Sequence, residues 1–318
     1  MRTSVGATEL QRIARLTAIL STGKRSGVRE GIGDDAAVID AQPEPLVWTI
    51  DEQVEGVHFR RALCSFEDIG FRATMAAASD LAAMGARPLG ALAAIVLPLD
   101  VTDEDLEALV RGQREACDAI DAAIVGGNLS GGDRLGIATT WLGTAQRPVL
   151  RRGACEGQGL YASGDLGLAN AGFRMLELGK AAPPAATQAW RRPRARIAEG
   201  LRMAAVASAA IDVSDGLARD ADNLARGSGV RIVLDEAALR ARLHPETIAF
   251  ARSLGVDPLD LALGGGEDYA LLCTSASPIS IDGFTRIGHV EHGHGVVVRG
   301  EHGERAALGG FDHFGTPD

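Results

Sequence analysis

The chain has 318 residues, 46% of them hydrophobic, and a formal net charge of −10 from 42 acidic against 32 basic residues. That length suggests about two domains, each with apolar residues enough for a core. The acidic balance excludes non-specific nucleic-acid binding, which needs a basic surface, but not anionic ligands, because bound cations reverse a local field.

In chain order, residues 5–20 read as a short amphipathic helix, and Gly23–Gly33 as a polar, glycine-rich mobile loop. LVWTID (46–51) reads as a strand ending in an aspartate. Asp68 is placed to cap a helix through FRATMAAASDLAAMGA, which Gly85 and Pro88 terminate. ALAAIVLP (91–98) has the continuous apolar run of a buried strand. Thr102 and Asp105 form an acidic variant of the capping box, and the helix behind them sets Leu106, Leu109, Val110, Cys117 and Ile120 on one face. AAIVGGN leads to a strand, IATTWLGT (137–144). RRGACEGQG (151–159) is turn-rich and marks the expected boundary between domains 1–150 and 151–318. Beyond it come a strand LYAS, a glycine-opened helix GDLGLANAGFRMLELG, a linker-like loop at 180–188 and a helix ARIAEGLRMAAVASA. Strands follow at VRIVLD (230–235) and YALLCT (269–274). Strands and helices mix without strict alternation, so the expected class is α+β, with two mixed α/β domains.

Cys64, Cys117, Cys155 and Cys273 are far apart and form no CxxC pair, as expected of free thiols in a reducing compartment without a zinc site. The first twenty residues carry scattered charges and no continuous apolar core, unlike a secretory leader. The longest apolar run, Leu89–Leu99, is too short to span a bilayer. A cytoplasmic protein with neither a nucleic-acid nor a membrane partner is expected.

Five stretches share one character: GIGDDAAV (31–38), TIDEQVEGVHF (49–59), SDLAAMGA (79–86), IDVSDGL (211–217) and GGGEDYALL (264–272). Each sets one or two carboxylates at a strand end, a helix end or a glycine turn, beside apolar residues. Asp80, Asp212 and Asp215 have no basic neighbours in sequence, and an isolated carboxylate among apolar groups is costly. Hard oxygen ligands on separate elements suit Mg²⁺ with substrate phosphates. Each aspartate read singly serves equally well as a turn or cap residue, Asp212 and Asp215 before LARDADNLA included. No GxxxxGK[ST] loop occurs, GDLGLANAG is a poor GxGxxG, and Ser214 sits in DVSDG rather than GxSxG. His292 and His294 in EHGHG read as a solvated hairpin turn. His58, seven residues after Asp51, reads either as a core histidine or as a pocket residue.

GIGDDAAV, TID with EGVHF, SDLAAMGARP, VGGN, RRGA, IDVSDGLARD, GGGEDYALL and the terminal GFDHFGTP stand in an order that resembles the thiamine-monophosphate kinase family. That family lies within the superfamily of aminoimidazole ribonucleotide synthetase and selenophosphate synthetase. The resemblance runs from about residue 8 to 318. It implies transfer of the γ-phosphoryl of ATP to thiamine monophosphate, giving thiamine diphosphate, with several Mg²⁺ ions. It implies an N-terminal ATP- and Mg-binding domain whose sheet pairs across a homodimer, a C-terminal α/β domain, and an active site between them. By resemblance Asp35, Thr49, Ile50 through its carbonyl, Asp51, Asp80, Asp212 and Asp215 bind metal; Gly127, Arg152 and Ser214 contact ATP; and His58, Glu267 and Phe311 contact thiamine monophosphate. No covalent nucleophile is implied, since the acceptor is already an ionised phosphate.

Three departures from the family pattern stand out. Gly126-Gly127-Asn128 replaces GGD, so Asn128, expected at both metal and ATP, offers a neutral oxygen; Asp133 follows five residues on as a possible substitute. Gly264 and Ala270 replace polar residues around GGED, and Gly157-Gln158 replaces GD. The Asn128 change keeps open a related ATP-using synthetase with another acceptor. A non-catalytic nucleotide-binding relative is the further alternative.

Overall fold

The computed structural model describes residues 8–21, 26–180, 183–278, 280–307 and 309–311, and it falls into two compact units. The first unit holds the residues up to Ala78 together with Arg87–Gln146; the second takes Ser79–Ala86 and the chain from Arg147 onward. No described helix is long and apolar enough to cross a membrane.

The first unit opens with α1 (Glu9–Leu20), capped by Thr8 in a reciprocal box with Gln11. Then come β1 (Val28–Glu30), β2 (Val38–Ile39), β3 (Leu46–Val54), α2 (Phe66–Ala83), whose residues from Ser79 on belong to the second unit, β4 (Arg87–Leu97), α3 (Asp103–Ala119), β5 (Ile124–Gly131) and β6 (Gly136–Thr144). Four strands form a mixed sheet in the order β3-β6-β4-β5, antiparallel except for the parallel β4–β5 pair. Strand alternation gives this sheet two unlike faces. One is buried under α2, where Arg72 donates to Gln53 Oε1 at 3.2 Å and the Trp141 indole donates to the Thr74 carbonyl at 3.1 Å. The other face leaves Trp48 74% and Ile50 68% exposed, with Leu46 and Leu92 beside them also open.

The second unit runs β7 (Gly159–Ser163), α4 (Leu168–Glu177), α5 (Pro184–Arg191), α6 (Ile197–Met203), β8 (Ala209–Val213), α7 (Leu217–Ser228), β9 (Arg231–Asp235), α8 (Glu236–Arg242), α9 (Pro245–Leu254), α10 (Pro258–Gly264), β10 (Ala270–Ser275), β11 (Phe284–Glu291), β12 (Gly295–Gly300) and β13 (Gly303–Ala306). Its seven strands stand in the order β13-β12-β9-β11-β7-β10-β8, all antiparallel but for the β9–β12 pair. β7, β8 and β10 are buried throughout, and their Leu160, Ile211, Val213 and Leu272 join Leu217 and Leu224 of α7 in one core.

The α+β class expected from the sequence is observed, and several local expectations are corrected. Ser65, not Asp68, is the cap of α2: its hydroxyl accepts from the Asp68 N–H, and Asp68 reaches back toward the Ser65 N–H. The same helix ends in a Schellman pair, Ala86 N to Leu81 O and Gly85 N to Ala82 O. The glycine-rich loop contains β1, and VGGN belongs to β5. Most of the expected linker at 180–188 is α5, because Pro184 suits the first turn of a helix. The helix expected through Ala209 stops at Met203. EHGHG is not a hairpin turn, since β9 lies between β11 and β12 and the turn passes over its Arg231 end.

Candidate active site

The second unit gathers six of the residues singled out in the sequence. Asp212 lies at the end of β8 and is 5% exposed. Its carboxyl is raised to about 7, by burial first and then by the nearby Asp80 charge, while the Ser79 hydroxyl beside it acts the other way. Asp80 sits in the last turn of α2, where the helix dipole also disfavours an anion. Two carboxylates that disfavour each other's charge, at the negative end of a helix, form a field that favours a cation. Among the described residues no three His, Cys, Asp or Glu side chains converge, so the donors here are a carboxylate pair. Mg²⁺ commonly binds through one or two carboxylates, with waters and phosphates completing its shell; the pair fits that pattern.

The turn after β8 is strapped to two distant segments by main-chain hydrogen bonds. The Glu267 N–H donates to the Ser214 carbonyl at 2.7 Å, Tyr269 N–H to Val213 at 2.9 Å, and Phe311 N–H to Asp215 at 2.9 Å. Ser214, Asp215, Glu267 and Phe311 are thereby brought together. The approach is so close that a Cβ on Gly266 would stand 2.4 Å from the Ser214 oxygen. Glu267 and Tyr269 take positive φ, +67° and +45°, a conformation that non-glycine residues hold only where surrounding contacts impose it. Arg219 adds a hydrogen bond to the Phe311 carbonyl and lies 3.6 Å from the Asp215 carboxylate. Arg152 is exposed in the irregular segment before Ala154. The DHF motif that follows Phe311 lies outside the described residues.

In the first unit the predicted residues are spread across the sheet. Thr49, Ile50 and Asp51 are on edge strand β3, and Gly127 and Asn128 on the opposite edge strand β5. The register aligns Asp51, Thr139, Ala93 and Gly127 in one row, so three strand spacings, about 14 Å, separate Asp51 from Gly127. A Cβ on Gly127 would lie 2.0 Å from the Ala93 carbonyl, so only glycine permits this approach of β5 to β4. The Thr49 carbonyl accepts from the Thr140 hydroxyl at 2.7 Å. Asp51 Oδ1 accepts from the Glu52 N–H at 2.8 Å. Asp34 Oδ1 accepts from the Asp35 N–H at 2.8 Å, so Asp34 closes the turn that presents the exposed Asp35. His58 Nδ1 accepts from the Val54 N–H at 3.0 Å, which fixes the Nε2–H tautomer. β5 continues for three residues past Asn128, carrying Asp133 about 10 Å further along the strand direction before the turn. Asp133 is no neighbour of Asn128.

Three residues that organise the site were missed. Asp220, one turn into α7, accepts from the Ser214 and Asp215 N–H groups, both at 2.9 Å. Trp190 of α5 is buried and donates to Glu267 Oε2 at 2.8 Å. Asp268 accepts from the Gly167 and Ala169 N–H groups at the start of α4, at 2.6 and 3.2 Å. The LARD sequence carried a signal for Asp220; nothing local marked Trp190. Gln158, a family departure, accepts from the Cys155 N–H and donates to the Ser208 hydroxyl, closing its turn where the family has GD.

Residues 33–145 match the family of AIR synthase related proteins, N-terminal domain. The thiamine-monophosphate kinase of Aquifex aeolicus is 37% identical over 89% of this chain and 92% of its own length. That of Mycobacterium tuberculosis is 36% identical over 97% of this chain and 94% of its own. Among solved structures, AaThiL complexed with AMPPCP and TMP superposes with a TM-score of 0.80 at 34% identity, covering 99% of both chains. The hydrogenase maturation protein HypE in complex with ATP shares the fold, with a TM-score of 0.78 at 18% identity over 96% of this chain and 95% of its own.

Proposed function

The chain belongs to the thiamine-monophosphate kinase family, and from that membership we infer that it transfers the γ-phosphoryl of ATP to the phosphate of thiamine monophosphate, giving thiamine diphosphate. The structural observation that best supports this reading is the strapping of Ser214, Asp215, Glu267 and Phe311 beside the Asp80–Asp212 carboxylates. In the transfer, an oxygen of the acceptor phosphate forms a bond to Pγ as the bond from Pγ to the β–γ bridging oxygen breaks, and ADP leaves with that electron pair. The acceptor is largely a dianion at pH 7, so no general base is required.

Asp80 and Asp212 are the second unit's proposed Mg²⁺-binding pair, and Asp215 is proposed as a ligand of a further Mg²⁺ ion. Asp35, Thr49, the Ile50 carbonyl, Asp51 and Asn128 are the ligands proposed in the first. Bound Mg²⁺ supplies neutralisation of phosphate charge. Ser214, Arg152, Gly127 and Asn128 orient ATP in this reading, while His58, through Nε2–H, Glu267 and Phe311 hold the acceptor. Glu267 offers a carboxylate to the thiamine cation, and Phe311 a ring face. Residues 1–150 carry dimerisation, through the open apolar face of Trp48, Ile50 and Leu92.

The test is a coupled assay for thiamine diphosphate with ATP, Mg²⁺ and thiamine monophosphate, run beside Asn128→Asp. Product from the wild type sustains the reading, and the variant reads what the missing carboxylate costs. Binding of Mg·ATP by both proteins with no product from either would point to another acceptor or a non-catalytic relative.

A further inference from the structure

Arg219 is the third residue of α7, in the turn where the helix dipole favours an acid and disfavours a base. A cation there needs partners that offset the cost, and two different segments supply them. Its Nε stands 3.6 Å from the Asp215 carboxylate, and its Nη1 donates to the Phe311 carbonyl. One planar guanidinium thus serves two acceptors through two nitrogens, which a lysine ammonium would do less well. The Phe311 N–H in turn donates to the Asp215 carbonyl at 2.9 Å, so Phe311 is gripped at both its N–H and its C=O. The tail reaches this position through Gly309 and Gly310, both at positive φ, +117° and +124°. A Cβ on Gly309 would stand 2.7 Å from the Gly264 Cα, and one on Gly310 2.6 Å from the Arg219 Cβ. The tail therefore lies in a slot between the end of α10 and the first turn of α7.

We propose that Arg219 is a positioning residue, tying the backbone that carries the Phe311 ring to the Asp215 carboxylate and so fixing the acceptor relative to the metal. The inference rests on the kinase reading above for the acceptor and for the metal at Asp215. Its own support is the guanidinium shared between the two segments and the glycine slot that seats the tail. Phosphoryl transfer in line demands this kind of control, because a misplacement of about 1 Å can cost about a hundredfold in rate. Arg219 acts through Phe311 and leaves the Asp215 charge in place when it is removed. Its loss is therefore felt at the acceptor, while Mg·ATP binds as before.

The experiment compares wild type with Arg219→Ala, which removes the guanidinium and keeps a good helix former, and with Gly309→Ala, which displaces the tail and leaves the guanidinium intact. The first readout is amide hydrogen exchange by NMR, without metal or substrate. Both variants should speed exchange of the Phe311 amide about tenfold or more, while the Glu267 and Tyr269 amides, bonded to the same turn, keep their protection. The second is binding of thiamine monophosphate by calorimetry together with steady-state kinetics. Arg219→Ala should raise the KM for thiamine monophosphate about fivefold and lower kcat about tenfold, with the KM for Mg·ATP within about twofold. Unchanged Phe311 exchange in Arg219→Ala overturns the tie while leaving the kinase standing. Faster exchange with unaltered thiamine monophosphate kinetics overturns the positioning role. A wild type that binds thiamine monophosphate without making product, and loses that binding together with Phe311 protection in Arg219→Ala, sinks the kinase and sustains the tie. A wild type that does not bind thiamine monophosphate overturns both.

Discussion

The indole Nε1 of Trp190 donates to Glu267 Oε2 at 2.8 Å, joining α5, which the sequence did not reveal, to a carboxylate that it did. Phe173 packs against the same indole at a centroid separation of 5.0 Å. Glu267 sits at positive φ, so its side chain depends on such contacts for direction. Trp190→Phe keeps most of the ring and removes the donor. The expected result is a KM for thiamine monophosphate raised about tenfold with kcat changed less than threefold, and stability lower by about 2 kcal/mol. Steady-state kinetics and urea unfolding measure both; an unchanged KM would show that the bond does not orient Glu267.

Asp80→Ala should cut turnover by more than about a hundredfold without unfolding the chain. The neighbouring Asp212 then loses a like charge, so stability without metal should hold or rise by about 1 kcal/mol. Thermal melts with and without Mg²⁺ distinguish the two effects. Wild-type turnover in this variant would rule out the carboxylate pair as a metal site.

Asp268 gives a pH dependence with a definite sign. Burial is the largest cause raising its carboxyl to about pH 7, against the pull of the Gly167 and Ala169 N–H groups. The folded chain then holds a proton that the unfolded chain releases near pH 4, so this group's contribution is full below that pH. It falls as pH rises through about 7, by on the order of a few kcal/mol. Across pH 4–8 the unfolding free energy of wild type should fall relative to that of Asp268→Asn as pH rises from about 4 to about 7. A constant gap would remove Asp268 as the titrating group.

Trp48→Glu places a charge on the exposed apolar face of the first unit's sheet, where Trp48 is 74% exposed. If that face carries the dimer, wild type should sediment as two chains and Trp48→Glu as one, with the monomer's fold intact by circular dichroism. Equal sedimentation of the two proteins would place any dimer contact elsewhere.

The sequence by itself determined the α+β class, the family and the capping box at Thr102, and it singled out the aspartates proposed as metal ligands. These are local signals: period, cap chemistry and short motifs depend on residues a few positions apart. Tertiary structure alone decided the rest. It decided that the GGGED segment and Phe311 hang from the turn after β8, that Asp220 holds that turn from α7, and that Trp190 aims Glu267. It decided that EHGHG passes over β9 rather than closing a hairpin. It also decided that the amide of Gln113 on α3 is buried with its Nε2 left without a hydrogen-bond partner. The physical reason is common to all of these. Main-chain hydrogen bonds between segments and the desolvation of single polar groups depend on which strands become neighbours, and strand order leaves no mark in local sequence.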